Sequence, residues 1–155
     1  SGVAKDENIA RISIMGVPDR PGLAFKIFSK LAAKNINVDI ILQSVGRNGT
    51  KDISFTVGED NLKEAIEMLN PYAEALGASG VVYDENVAKV SIVGAGMESH
   101  PGVAADMFDA MFEANINIQM ISTSEIKISV LIAAEDADKA VSSIHNKFFS
   151  EDLKR

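Results

Sequence analysis

The sequence predicts an α+β fold of two similar modules, each an antiparallel sheet with helices on one face. Three observations lead to this prediction. The chain repeats its own pattern, each copy alternates strand-like and helix-like segments in one order, and a hydrophobic content of 46% over 155 residues suffices for two small cores. The order is strand, helix, strand, strand, helix, strand, which is the βαββαβ arrangement of a ferredoxin-like sandwich.

The internal repeat is gapless over its first part. The letters GVAKDENIARISIMG, from Gly2 to Gly16, lie over GVVYDENVAKVSIVG, from Gly80 to Gly94, at a constant offset of 78 (80 − 2). The match continues as RPGLAFKIFSKLAAKNINVDIILQS over HPGVAADMFDAMFEANINIQMISTS, and then as ISFTV over ISVLI. Similarity of this extent indicates two copies of one architecture, which we call module one and module two.

Each module begins with a strand and a helix. Residues 10–15 alternate as a half-buried strand does, and we predict that this strand ends at Gly16. A helix follows the loop PDRPG, with Pro21 in its first turn, where the missing N–H would be unpaired in any case. Apolar residues recur at helical spacing at Leu23, Ala24, Ile27, Phe28 and Leu31, and in module two, after Pro101, at Val103, Met107, Phe108 and Met111.

The second half of each module adds two strands around a second helix. Asn35 and Asn115 are placed where the first helices end, and alternation from Val38 to Leu42 predicts the second strand. The polar hairpin GRNGTKD leads to a third strand at residues 53–57, and Asp60 is predicted to cap the second helix. The buried stripe of that helix is predicted at Leu62, Ala65, Ile66 and Leu69, matched in module two by Ala137, Ala140, Val141 and Ile144.

The last strand of module one is predicted at residues 81–83, within GVVYDEN. In module two the second helix is followed by the polar segment HNKFFSEDLKR, which does not have a strand pattern. Because GVAKDEN is a copy of GVVYDEN, we predict that a strand near residues 3–5 crosses over and completes module two. Module one is then residues 9–85, inserted into module two, which consists of residues 1–8 and 86–155.

Composition narrows the class of partner. Fifteen Lys and Arg against twenty-two Asp and Glu give a net charge of −7, and no basic stripe interrupts the acidity. This argues against nucleic acid and anionic membranes and favours a small ligand or another protein. The chain has no cysteine and no apolar stretch of transmembrane length, so we expect a cytoplasmic location.

The loop GVPDRPGLA is the most informative segment. A glycine at the start of a helix lets main-chain N–H groups approach an anion closely. A carboxylate fits there and Asp19 could hold an ammonium group, so the loop could clamp both ends of a free α-amino acid. The alternative is that Asp19 only caps the helix. Module two has the longer loop GAGMESHPGVA, with Ser99 in place of Asp19, so the two loops are expected to differ in preference.

Other polar residues give weaker signals. Residues 122–125 and the pair Gln43-Ser44 follow equivalent strands and could bond a ligand side chain, or could form an ordinary solvated hairpin edge. The two histidines, His100 and His145, are far apart in this fold, so we predict no metal and no cofactor. Since no catalytic triad, carboxylate pair or P-loop is recognisable, we predict no catalytic residue either.

Two long segments of the chain resemble a known family. VSIVGAGMESHPGVAA followed by NINIQMISTSEIKISVLI resembles the second ACT repeat of aspartate kinases, and RISIMGVPDRPGLAFKIF with NVDIILQSVGRNGTKDISFTV resembles the first. The resemblance implies feedback control of the first step of the aspartate pathway by threonine, lysine or both. It also implies a catalytic kinase domain or a larger catalytic subunit as partner, because the kinase half of the family is absent from this sequence.

The resemblance further implies two effector sites, each closed by the facing module. The first would use Asp19, Gly22, Leu23, Ala24 and Gln43, closed by Asn117 and Ile118. The second would use Ser99, His100, Gly102, Ala104, Ser124 and Glu125, closed by Asn37 and Val38. Glu125 is a natural partner for a lysine ammonium group, whereas the smaller Asp19 pocket suits threonine. Modules are expected to pair edge to edge between chains in a homodimer, since a bare sheet edge needs covering.

Three other functions remain open on the sequence. A tandem ACT sensor could serve another amino-acid enzyme, or the two modules could be a purely structural dimerisation unit. A small ferredoxin-like enzyme such as an acyl phosphatase would need an arginine in a phosphate-binding loop, and Arg20 has no counterpart in module two.

Overall fold

A computed structural model describes residues 2–94 and 101–149. They form two antiparallel four-stranded sheets and four α-helices, which confirms the predicted α+β class. The chain divides into two compact units, residues 8–85 and the described parts of residues 1–7 and 86–155. We describe them as module one and module two.

Module one contains four strands and two helices. In chain order they are β2 (Ile9–Pro18), α1 (Leu23–Ala33), β3 (Val38–Gln43), β4 (Thr50–Gly58), α2 (Leu62–Leu76) and β5 (Gly80–Asp84). The strand order across the sheet is β3-β4-β2-β5. The first and third strands of the module therefore lie in the centre, and β3 and β5 are its edges.

Module two has the same arrangement, with one strand taken from the start of the chain. Its elements are β1 (Gly2–Asp6), β6 (Val87–Val93), α3 (Val103–Glu113), β7 (Met120–Thr123), β8 (Lys127–Ala133) and α4 (Ala137–Phe149). The order across the sheet is β1-β6-β8-β7. β1 pairs antiparallel with β6, from Gly2 opposite Val93 to Asp6 opposite Lys89, and so occupies the edge that β5 occupies in module one.

Each module has its own apolar core between the sheet and its helices. In module one the core includes Ile12, Phe55, Ile27 and Leu69, all fully buried. In module two the predicted stripe residues Met107 and Met111 are core residues, at most 1% exposed, and Met120 of β7 is buried as well, at 4%. Phe108 is an exception to the predicted stripe, because it is 48% exposed and lies at the margin of the buried face of α3.

Each sheet contains a pair of serines that lie opposite each other on neighbouring strands. Ser13 lies opposite Ser54 and Ser91 lies opposite Ser129, and in both pairs the hydroxyl oxygens are 2.7 Å apart. Each hydroxyl thereby has a hydrogen-bond partner at a position where an unpaired one would be costly. The two modules therefore have this serine pair in common as well as the hydrophobic pattern of their strands and helices.

The first helices end as predicted. Asn35 and Asn115 adopt left-handed backbone conformations, with φ of 59° and 58°. Beyond them the N–H of Ile36 donates to the Leu31 carbonyl at 3.0 Å, and the N–H of Ile116 donates to that of Met111 at 2.8 Å. Asparagine tolerates this conformation better than most residues, so these positions close both helices.

Three predicted boundaries are wrong. β2 continues through Gly16 to Pro18, because a bulge there, with φ of +63° at Gly16, lets the strand rejoin β4. Pro21 precedes α1, which begins at Leu23. Asp60 does not cap α2, because it lies in a 3₁₀ turn and Asn61 occupies the cap position without a side-chain hydrogen bond.

None of the helices in the described ranges is long and apolar enough to cross a membrane.

The position of β1 leads to a stability prediction. Deleting residues 2–6 makes β6 an edge strand and removes Val3 from the margin of the module two core. Amide hydrogen exchange in β6 should then accelerate by about tenfold or more, as expected when a strand loses its paired neighbour. Exchange in β2 should be unaffected, and equal protection of β6 with and without residues 2–6 would contradict the role given to β1.

Candidate functional site

The loop between β2 and α1 folds tightly over the end of the sheet. The Asp19 N–H donates to the Gly49 carbonyl at 2.8 Å, and the Arg20 N–H donates to the Pro18 carbonyl at 2.9 Å. The first bond fastens the loop to the turn between β3 and β4. The second folds the loop back on itself. Asp19 is three positions before Gly22, the cap residue of α1 (22 − 19).

Helix α1 begins without a side-chain cap. Gly22 is its cap residue, and the first helical hydrogen bond runs from the Lys26 N–H to the Gly22 carbonyl at 3.0 Å. The N–H groups of Ala24 and Phe25 therefore have no partner inside the helix. Gly22 has a φ of +90° and open space around its α-carbon, so a side chain there would be strained but not crowded.

Asp19 does not cap the helix, which removes the alternative explanation for this residue. Its Oδ1 lies 3.3 Å from the Lys51 Nζ, and its Oδ2 lies over Gly46. A β-carbon built at Gly46 would be 2.0 Å from Oδ2, so only glycine fits there with the carboxylate in this position. Asp19 is 44% exposed, and its carboxylate is thus held at the surface beside a single ammonium group.

The turn between β3 and β4 is ordered by its own hydrogen bonds. Asn48 and Gly49 both have positive φ, 57° and 78°, as a type I′ turn requires. Farther back, the Asp52 N–H donates to the Ser44 Oγ at 2.9 Å, and the Asp52 Oδ1 accepts from the Gly16 N–H at 2.9 Å. A cavity of about 450 Å³ lies along this turn, lined by Ser44, Val45, Arg47, Thr50, Lys51 and Asp52.

Gln43 is brought to the same end of the sheet. It is the last residue of β3, lies opposite Ile53, and is exposed. Its neighbour Ser44 is bonded to Asp52, which also holds the bulge at Gly16. Asp52 therefore connects the residue after β3 to the bulge near the end of β2.

The predicted closing residues lie at the opposite end of the edge strand. Asn37 is exposed and Val38 begins β3. Together with Phe28, Ala32, Asn35, Ile36 and Ile41, they line a cavity of about 480 Å³ between α1 and β3. In module two, Asn117 and Ile118 lie just before β7. Both pairs thus lie at the starts of edge strands, away from the loop at the start of their own module's first helix.

The structure describes only some residues of the second predicted site. Gly102 is the cap residue of α3 and has a φ of −87°, and Ala104 lies in the first turn. Ser124 donates its N–H to the Lys127 carbonyl at 2.8 Å, and its hydroxyl reaches the same carbonyl at 3.3 Å, so it shapes the β7–β8 turn. Glu125 is exposed in that turn. Ser99 and His100 lie outside the described residues.

The two helix starts differ in charge. The first turn of α1 has no acidic residue, whereas the first turn of α3 contains Asp106, at the position that Lys26 holds in α1 (106 − 26 = 80). A helix start attracts anions through its exposed N–H groups and its dipole. Lys26 adds to that attraction and Asp106 opposes it, so the charges at the start of α1 favour an anion more than those at the start of α3.

Sequence reasoning missed the residues that position Asp19. Lys51 and Gly46 are 32 and 27 positions away (51 − 19 and 46 − 19), and only the register of β2 with β4 brings Lys51 opposite Val17. The difference between Lys26 and Asp106 was visible in the repeat alignment. No group of acidic, histidine or cysteine side chains within residues 2–94 and 101–149 is arranged to hold a metal ion.

Comparison with known proteins identifies the family. The ACT domain profile matches residues 10–72, and a second ACT profile matches residues 90–148. The regulatory subunit of aspartate kinase from Thermus thermophilus, in its ligand-free crystal form, is 43% identical with a TM-score of 0.90, over 96% of this chain and 97% of that one. The chain belongs to the aspartate kinase regulatory family with tandem ACT domains.

Other relatives agree with this assignment. A chain in the crystal structure of aspartokinase alpha and beta subunits is 48% identical with a TM-score of 0.89, and 96% of this chain aligns with 97% of it. Aspartokinase from Helicobacter pylori is 52% identical over 94% of this chain and 35% of its own length. Aspartokinase from Mycolicibacterium smegmatis is 47% identical over 96% of this chain and 36% of its length. This ACT-domain chain thus spans about a third of those curated relatives.

The contact between Gly46 and Asp19 yields a testable prediction. In Gly46→Ala the added methyl group forces the Asp19 side chain to rotate away from Lys51, while the free energy of unfolding changes by less than about 1 kcal/mol, because the side chain is exposed and free to move. The carboxyl carbon resonance of Asp19 in NMR spectra should shift. Gly58→Ala is the matched control, since its added methyl group meets nothing closer than 3.8 Å. An unchanged Asp19 resonance in Gly46→Ala would show that the contact is not maintained in solution.

Proposed function

We propose that this chain is the effector-binding part of an aspartate kinase and mediates feedback inhibition by threonine, lysine or both. The observation that carries the proposal is the juxtaposition, within one loop, of an uncapped helix start and an anchored carboxylate. These are the two groups needed to bind the carboxylate and the ammonium group of a free amino acid. The functional modules are residues 9–85 and residues 1–8 with 86–155.

The effector carboxylate binds at the start of α1. The N–H groups of Ala24 and Phe25 supply the donors, and the left-handed Gly22 leaves the approach open. Leu23 is 5% exposed with its side chain in the core, so it contributes position and backbone only. Hydrogen bonds to a charged acceptor are among the stronger ones, worth about 1.5–3 kcal/mol each.

The effector ammonium group binds Asp19. The carboxylate now pairs with Lys51, and Asp19 is 44% exposed. Lys51 is 18% exposed, so the pair is partly buried, and an arriving ammonium group competes with Lys51 for the carboxylate. Gln43, at the nearby end of β3, is placed to contact the effector side chain.

The site is completed at a seam between two chains. The edge strand β3 exposes Ile41 and Leu42, each 50% accessible, and β7 exposes Ile121. Edges of this kind pair with a second chain to cover backbone and apolar groups. Asn117 and Ile118 then close the first effector site, and Asn37 and Val38 close the second. The ligand-binding residues proposed for the second site are Ser99, His100, Gly102, Ala104, Ser124 and Glu125.

Inhibition follows from binding at that seam. A ligand that touches two modules favours the arrangement in which both contact it, and it shifts the population of the whole protein toward that arrangement. The catalytic part that the longer relatives include responds to this shift. A coupling of about 1–3 kcal/mol changes affinity at a distant site roughly 5- to 150-fold, which is sufficient for feedback control.

Calorimetric titration with each of the twenty amino acids tests the proposal. Threonine or lysine should bind saturably, because the zwitterion satisfies both Asp19 and the helix start while the polar side chain of the effector is contacted by Gln43 at the first site or Glu125 at the second. Asp19→Ala should weaken binding at the first site about tenfold or more, as expected for the loss of a charged hydrogen bond. Glu125→Gln should weaken lysine more than threonine, and Glu64→Gln, on the exposed face of α2, is the control for net charge. Binding confined to aromatic or branched-chain amino acids would contradict the aspartate kinase assignment, and binding of none would leave a dimerisation module.

The difference between the two helix starts supplies a second test. Lys26→Asp gives α1 the charge of α3 and should weaken carboxylate binding at module one roughly threefold or more, since charges in the first turn are worth about 0.3–1 kcal/mol each. Asp106→Lys should strengthen binding at module two. Lys63→Asp changes the net charge equally from a different helix and should have no effect. Equal weakening by Lys26→Asp and Lys63→Asp would show that only overall charge matters.

A further inference from the structure

Module one has a groove that the proposed effector site does not use. It lies between the edge strand β5 and helix α2 and encloses about 310 Å³. Leu62, Ile66 and the half-exposed ring of Tyr83 provide its apolar surface, while Glu59, Lys63, Glu67 and Glu85 are its charged residues. In the described part of the sheet β5 pairs with β2 alone, so its other edge is open.

Module two has an ion pair at the same position. Lys5 of β1 is the counterpart of Tyr83 (83 − 5 = 78), and Asp138 of α4 is the counterpart of Lys63 (138 − 63 = 75). The Lys5 Nζ donates to the Asp138 Oδ1 at 2.6 Å and also lies 3.7 Å from Glu7. The hydrogen bond from Lys5 to Asp138 raises the pKa of Lys5 above its ordinary value. An ion pair therefore links strand to helix in module two.

Module one lacks this link. Tyr83 and Lys63 cannot form an ion pair, and the space between strand and helix remains a cavity. None of the four charged groove residues forms a salt bridge with another described residue. The two modules share their strand order, so the strand–helix contact at this edge can be compared directly between them.

We propose that the groove binds an extended, lysine- or arginine-bearing segment of another polypeptide, which pairs with β5 as an additional strand. The open edge supplies backbone hydrogen-bonding groups. The cavity receives alternate side chains of the added strand, with apolar stems against Leu62, Ile66 and Tyr83. Long basic side chains suit such a site, because their methylene stems pack on apolar surface while their charged ends reach the rim.

Charge selects the occupant. Three carboxylates, of Glu59, Glu67 and Glu85, face one ammonium group, of Lys63, so the groove has a net charge of −2 (1 − 3). A second copy of this chain, pairing β5 with β5, would bring the two acidic rims together, and like charges across an interface are unfavourable. A basic partner gains from the same field, both in affinity and in its rate of encounter.

The whole chain is titrated with a defined probe, the fluorescent peptide KVKVKVK, and with its acidic twin EVEVEVE. The basic peptide should bind and weaken as salt is raised, and the acidic twin should not bind. Bound peptide should slow amide hydrogen exchange in β5 and leave β1 unaffected. Equal binding of both peptides, or protection of β3 or β7 in place of β5, would overturn the proposal.

Placing the two module two residues into module one distinguishes binding in the groove from a general attraction to negative charge. Tyr83→Lys with Lys63→Asp rebuilds the module two ion pair in module one, and both positions are exposed, so the fold should be retained. The swap makes the groove more acidic, from −2 to −3, so a purely electrostatic attraction would become stronger. Closing the groove should weaken the peptide about tenfold. Unchanged or tighter binding in a folded swap variant would refute the proposal, and Asp19→Ala, which tests the effector site, should leave peptide binding unchanged.

Discussion

The uncapped start of helix α1 is the feature on which the functional account depends. Most helix starts satisfy their free N–H groups with a side chain, and here Gly22 supplies none. The loop is nevertheless held in place, because the Asp19 backbone is bonded to Gly49 and its carboxylate to Lys51. A loop held by these contacts that leaves the N–H groups of Ala24 and Phe25 without a partner inside the helix is suited to an anionic group from outside.

The internal repeat shows which features the fold requires and which are particular to one module. Both modules keep the serine pair in the sheet and the left-handed asparagine after the first helix, because packing and helix termination need them. They differ at the first turn of the first helix, where Lys26 of module one corresponds to Asp106 of module two. They also differ at the outer sheet edge, where Tyr83 of module one corresponds to Lys5 of module two. Both differences lie at surfaces for which we propose binding.

The sequence was sufficient for the parts of the structure that local chemistry determines. Strand and helix order followed from hydrophobic periodicity, and the helix ends at Asn35 and Asn115 followed from the preference of asparagine for positive φ. The sequence-based predictions failed where contacts between residues far apart in the chain determine the local structure. Gly16 has the pattern of a strand end, yet β2 continues because Asp52, 36 residues away, accepts its N–H. Lys51 reaches Asp19 for the same kind of reason, since strand register rather than proximity along the chain brings them together.

The most direct measurement of the central claim is a titration of isotopically labelled chain with threonine and with lysine, followed through backbone amide resonances. If an effector carboxylate binds at the start of α1, the N–H resonances of Ala24 and Phe25 shift downfield and saturate together with those around Asp19 and Gln43. If saturating amounts of both amino acids leave the Ala24 and Phe25 resonances in place, the helix start is not the binding site and the account is wrong.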